Sequence, residues 1–168
     1  MIFKQVRLTD NGPLQDVLIQ EGKITKIASS IHIGGEVIEG NGKWLLPGLI
    51  DLNVRLKNDT LNQKHLEMLS HDAARGGVTT CVVMPDFSPR LDNETLLELL
   101  NAKLSHDRIS LLLAAPLTTK ESEKLNNLAT LIENGACAIQ GNSSINANLI
   151  RRGIQYAGKD RGRAKSGQ

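Results

Sequence analysis

The chain has 168 residues, 40% apolar and 23% charged, with a formal net charge of +2. This is enough for a domain with a real core and an ordinary globular composition, and the charge calls for no polyanionic partner. No apolar run approaches the roughly 18 residues of a membrane-spanning helix, and no apolar signal region follows Met1, so neither nucleic acid nor membrane is expected as a partner and the expected location is cytoplasmic. The charge is uneven: KDRGRAKSGQ at the end carries +3, leaving −1 on the rest. Aromatic residues are 2% of the chain, so the core must be aliphatic. Cys81 and Cys137 lie in apolar runs without a CxxC pattern and read as reduced and buried.

In chain order, residues 1–46 read as a small β-module, half of a sandwich. IFKQVRL alternates; DVLIQ and ITKIAS flank a hairpin-type turn at EGK; EVIEG and WLLPG flank another at NGK. From residue 47 the pattern changes to strands alternating with helices. GLIDLNVRL is a strand, and LNQKHLEMLSHDAARGG a helix stopped by Gly76 and Gly77. VTTCVVMP is a strand, and DNETLLELLNAKL a helix capped by Asp92 or Asn93. ISLLLAAP is a strand, TTKESEKLNNLATLIENG a helix, ACAIQ a strand and NANLIRRGIQYAG a last helix. Apolar strands bounded by helices imply a parallel sheet covered by helices. In such sheets the chemistry sits at the C-terminal strand ends, here 53–57, 84–89, 116–119 and 140–144. Residues 47–158 thus form an α/β region of four β-α units, and 159–168 a basic, disordered tail.

LLPGLIDLNVRL, AARGGVTTCVVMPDFSPRLDN and LIENGACAIQGNSSINANLIRRGIQYA resemble the dihydroorotases, cyclic amidohydrolases of pyrimidine biosynthesis, with a likeness running from residue 1 to 158. The resemblance implies a β/α barrel of the TIM type, of which four β-α units are the first half, and a β-module beside it. Half a barrel leaves two open sheet edges. The remainder then belongs to a longer parent chain, or the chain is a truncated product, or a second copy covers the edges.

The resemblance also implies zinc, which activates water and polarises the amide carbonyl. The family's first strand ends His-x-His-x-Arg, and the period of two points both imidazoles inward. Here the three positions are Asn53, Arg55 and Lys57. Asn is a poor zinc ligand, and Arg stays protonated, offers no lone pair and brings a cation to the metal's place. Lys57 keeps the charge of the family's carboxylate-gripping Arg but not its two-pronged geometry. The family's Asn after Met-Pro is Asp86, which repels an anionic substrate. The Asp pair after the fourth strand falls on Gly141 and Asn142. Allowing a one-residue slip rescues nothing, because no Asp, Glu, His or Lys lies between Ala136 and Leu149. No zinc is therefore expected, and no catalytic residue is assigned.

His32, His65, His71 and His106 form no HxH or HxxxH pair and read as surface or capping residues. Asp51 is expected inward, in an ion pair with Arg55 or Lys57. Ser88, Ser143 and Ser144 lack a His-Asp arrangement, and GRAKS in the tail lacks the Gly-Lys-Ser/Thr core of a phosphate loop. The leading expectation is a non-catalytic dihydroorotase homologue that partners aspartate carbamoyltransferase or associates with itself. The alternatives are an active zinc amidohydrolase whose ligands come from a missing C-terminal half, and a partly folded remnant.

Overall fold

The computed structural model describes residues 1–56, 60–104, 108–119, 124–142 and 144–159. Lys57, His106, Ser143 and the tail from residue 160 lie outside them. The chain divides into two units, Met1–Pro47 and Gly48–Gln168.

The first unit is one four-stranded sheet of β1 (Ile2–Val6), β2 (Gln15–Gln20), β3 (Lys23–Ala28) and β4 (Val37–Glu39), in the order β3-β2-β1-β4. β2 and β3 form a hairpin with a two-residue loop, Gln20 pairing with Lys23. Glu21 and Gly22 both have positive φ, 50° and 72°, the geometry whose twist matches the flanking strands. β4 adds parallel to β1. The strand expected at WLLPG reduces to one bridge between Trp44 and Arg7. Ile2, Leu18 and Ile31 form the small core. Beside them Asp16 is buried, its carboxylate accepting the Gln5 N–H at 3.0 Å and the Ile31 N–H at 2.9 Å. Those bonds, the Gln5 one first, hold its pKa below the ordinary carboxylate value despite the opposing effect of burial.

The second unit is a parallel sheet in the order β5-β6-β7-β8, with a helix after each strand. The strands are β5 (Leu49–Val54), β6 (Val78–Val83), β7 (Ser110–Pro116) and β8 (Ala136–Gln140), and the helices α1 (Gln63–Arg75), α2 (Glu94–Leu104), α3 (Leu128–Glu133) and α4 (Ala147–Lys159). Local chemistry sets the ends. Asn62 caps α1 by accepting the His65 N–H at 2.8 Å, and Gly77 leaves the helix at φ 79°. Asn93 caps α2 through the Thr95 and Leu96 N–H groups.

Among the described residues the expected helix over 118–135 is only the six residues of α3; residues 120–123 lie outside them. Thr118 pairs with Leu125 in an isolated antiparallel bridge, and Asn126 Nδ2 donates to the Pro116 and Thr118 carbonyls at 2.8 and 2.9 Å. These side-chain bonds give the polar segment an alternative to helix.

The main core is aliphatic apart from Phe87 and includes Val54, Leu66, Cys81, Val83, Leu97, Leu100, Leu111, Leu113 and Leu131, drawn from strands and helices alike. The period of two puts Val82, Met84 and Ala114 on the opposite sheet face, where they form a separate small cluster. Cys81 is buried as expected, but Cys137 is exposed. Its strand, β8, is the sheet edge, with no strand beyond it among the described residues.

Candidate functional site

The C-terminal strand ends of β6, β7 and β8 open on a cavity of about 680 Å3. Its lining includes Asp86, Arg90, Asp92, Thr118, Gln140 and Asn142. Two of the family-equivalent positions singled out in the sequence, Asp86 and Asn142, therefore share one cavity, together with Ser88 and Asp92. Arg55 reaches it through Asp86, since its Nη1 donates to the Asp86 carboxylate in a close ion pair. Asn53 and Gly141 are not among the lining residues, and Lys57 lies outside the described ones.

Of the two partners expected for Asp51, Arg55 pairs with Asp86 instead, and the Asp51 carboxylate accepts the Asn53 N–H at 3.0 Å; the other, Lys57, lies outside the described residues. The cause lies in the strand register. Asp51 pairs with Cys81 and Val54 with Val83, so three steps along β5 match two along β6. Such a shift breaks the alternation on which a shared orientation of Asp51, Asn53 and Arg55 rests. The Cys81 thiol pKa is raised, by burial first and by the Asp51 charge second.

Arg90 carries no signal of its own in the sequence, yet it ties the mouth together. Its Nη2 donates to the Thr118 carbonyl at 2.5 Å and the Thr119 carbonyl at 3.3 Å. Its Nε sits 3.4 Å from the Asp92 carboxylate without hydrogen-bond alignment. Asp92, one of two candidate caps for α2, thus faces Arg90 and leaves capping to Asn93. The cavity's cationic and anionic side chains are matched: Arg55 with Asp86, Arg90 with Asp92.

The described residues at the strand ends do not by themselves assemble a set of metal ligands. Among the described residues no group of three His, Cys, Asp or Glu could hold one. Arg55 brings a guanidinium to the mouth. Asn142 spends its Oδ1 on the Ser144 N–H at 3.1 Å and the Ser144 hydroxyl at 2.5 Å. A Cβ at Gly141 would come within 3.0 Å of Leu117 Cδ2, so even an Asp there would need Leu117 to yield. The described histidines are engaged locally: His32 with Ser30, His65 at the start of α1, His71 with Asp72. No described helix is long and apolar enough to cross a membrane.

A parallel α/β unit whose strand ends enclose a polar cavity is the frame on which many small-molecule enzymes are built. Residues 42–158 match the family described as dihydro-orotase-like. The chain belongs to the dihydroorotase family. A dihydroorotase of Pelotomaculum thermopropionicum is 32% identical over 149 residues, covering 86% of this chain and 35% of that protein. One of Listeria welshimeri is 36% identical over 137 residues, covering 78% and 32%. The chain thus spans about a third of the length of these curated relatives. A solved prolidase complexed with N-methylphosphonate-L-proline overlays 92% of this chain and 43% of its own at a TM-score of 0.44 and 16% identity, too loose a likeness to carry an argument.

Proposed function

We propose that this chain is a non-catalytic dihydroorotase-family protein of pyrimidine biosynthesis. It retains the first four β-α units of a β/α barrel as a scaffold and acts as a partner of aspartate carbamoyltransferase. The observation that carries the non-catalytic reading is the Arg55–Asp86 ion pair at the strand ends. Both members stand where the family resemblance calls for other residues, a zinc-binding His and a carboxylate-binding Asn. Each also answers the other's charge. A cation in the metal's place would repel zinc, and a carboxylate in the substrate's place would repel dihydroorotate. Paired, they neutralise one another and leave a mouth suited to neither.

The reading predicts purified protein without stoichiometric zinc and without hydrolysis of dihydroorotate at any zinc loading. Stoichiometric zinc together with chelator-sensitive hydrolysis would overturn it and favour the zinc-dependent amidohydrolase instead. Co-purification with aspartate carbamoyltransferase tests the partnership separately: a complex stable through gel filtration supports it, and two independent peaks at equal concentrations count against it.

A further inference from the structure

We propose that the Asn11–Gly12 step, in the turn between β1 and β2, is a site of intramolecular deamidation, at which Asn11 becomes aspartate and isoaspartate while the chain stays folded. The proposal is independent of the non-catalytic reading of the strand-end mouth.

The chain has three Asn-Gly steps: Asn11–Gly12, Asn41–Gly42 and Asn134–Gly135. The chemistry is the same at each. The Gly backbone nitrogen gives its proton to solvent base and attacks the Asn Cγ. An N–Cγ bond forms, the Cγ–Nδ2 bond breaks, and the side-chain amide takes up a proton and leaves as ammonia. Water then opens the five-membered imide at one carbonyl or the other, giving aspartate or isoaspartate. Gly is the favourable follower because it has no Cβ to crowd the ring. The dipeptide alone ranks the three steps equally, so the fold must separate them.

Two of the three are held. Asn134 follows α3, and its Nδ2 donates to the Thr130 carbonyl at 2.8 Å. Its backbone carbonyl accepts from Asn101 Nδ2 at 3.0 Å, and the Gly135 N–H donates to the Ile132 carbonyl at 3.0 Å. The leaving amide, the peptide group and the attacking nitrogen are thus all engaged. Asn41 lies in a turn in which it and Gly42 have φ of 50° and 77°. The Gly42 N–H donates to the Gln5 carbonyl at 2.8 Å, the Gly40 N–H to the Lys4 carbonyl at 2.8 Å, and the Lys43 N–H to the Gly40 carbonyl at 2.9 Å. These bonds fasten the turn to β1.

Asn11 has no such set. It is exposed, and its side chain makes no hydrogen bond among the described residues. The Gly12 N–H donates to the Thr9 carbonyl at 3.3 Å, beyond the usual range for such a bond. Closing the imide requires Asn to leave the left-handed region that Asn11 occupies at φ 57°. One long bond resists that movement at Asn11, against three short ones at Asn41. The restraining bonds all run between residues of this chain, so the ranking is set within it.

Peptide mapping of the 168-residue chain, held folded in mildly alkaline buffer, tests this. Trypsin releases the three steps on separate peptides, 8–23, 27–43 and 125–151, and tandem mass spectrometry locates each amide-to-acid conversion and identifies isoaspartate. Asn11 should convert roughly tenfold or more faster than Asn41 or Asn134, the ratio produced by about one hydrogen bond's net contribution. In guanidinium the three rates should converge. Equal rates in the folded chain overturn the proposal, as does earlier conversion of Asn41 or Asn134. So does an Asn11 that stays intact while the unfolded chain converts, or a lead for Asn11 that persists in guanidinium, which would trace it to sequence rather than fold. An unchanged far-UV spectrum during the incubation verifies that the folded chain is the one reacting.

Discussion

The helix side of the parallel sheet and the mouth at its strand ends obey different rules. On the helix side Val83, Leu97, Leu111 and Leu113 are buried among one another, with strand and helix interlocked as aliphatic packing requires. At the mouth the side chains are polar and matched in charge, and the positions at which the family resemblance calls for metal and substrate contacts hold Asn53, Arg55, Asp86, Gly141 and Asn142. Packing constrains every core position through its neighbours, so a single change there is costly. On the non-catalytic reading proposed above, the mouth is constrained only by solubility and local charge balance. The difference teaches that a scaffold and its site are separable physical demands on one sequence.

The largest effect should come from the core. Leu113 is fully buried, and Leu113→Ala should lower stability by about 2–5 kcal/mol through lost burial and a residual cavity. Asn53→Ala at the mouth should change it by less than about 0.5 kcal/mol. Urea midpoints of the two variants measure the contrast, and comparable losses would break it.

A second test uses Asp16, a polar residue whose role is architectural. Asp16→Ala strands the buried Ile31 N–H and the part-buried Gln5 N–H, at a cost of about 1–3 kcal/mol. The pH dependence follows from the lowered pKa. A carboxylate whose folded pKa lies below its ordinary value of 3.8 stabilises the fold above that value and loses the contribution as pH falls through the folded pKa. Acid titration of stability should therefore be shallower in Asp16→Ala than in the unaltered chain. An identical acid slope would remove Asp16 from the account.

The smallest effect belongs to the Arg55–Asp86 pair. Its side chains are 56% and 35% exposed, so solvent screens them. A double-mutant cycle with Arg55→Ala and Asp86→Ala should return a coupling of about 0.2–1 kcal/mol, weakening in high salt. A coupling several times larger would mean that the pair is part of the core rather than of a relaxed mouth.

Much of this division is legible in the sequence. The continuous apolar runs around Val83 and Leu113 announce buried parallel strands, Asp92-Asn93 announces the start of α2 without choosing between the two caps, and Glu21-Gly22 announces a tight hairpin. What the sequence conceals depends on contacts far apart along the chain or on breaks in a period. Arg90 takes its partners from Thr118 and Thr119, 28 and 29 residues away. The orientation of Asp51 depends on a register shift between β5 and β6 that alternation alone does not reveal. The shortness of α3 follows from Asn126 bonding back to β7 and the segment after it, and the exposure of Cys137 from β8 being an edge. The altered mouth is visible by residue type, whereas its Arg55–Asp86 pairing becomes visible only once two strand ends are brought together.

The central claim is that this segment, by its own residues, cannot support the zinc site of the family. A chimera carrying residues 1–158 of this chain followed by the remaining segment of an active full-length dihydroorotase tests it, because the second segment supplies the family's contributions from beyond residue 158 and leaves only those of the first in question. Bound zinc and dihydroorotate hydrolysis are measured in the chimera and in the same protein carrying Asn53→His, Arg55→His, Lys57→Arg, Asp86→Asn and Gly141→Asp. The account predicts a folded chimera without stoichiometric zinc or turnover, and recovery of zinc in the substituted form. Stoichiometric zinc and hydrolysis in the unsubstituted chimera would contradict it.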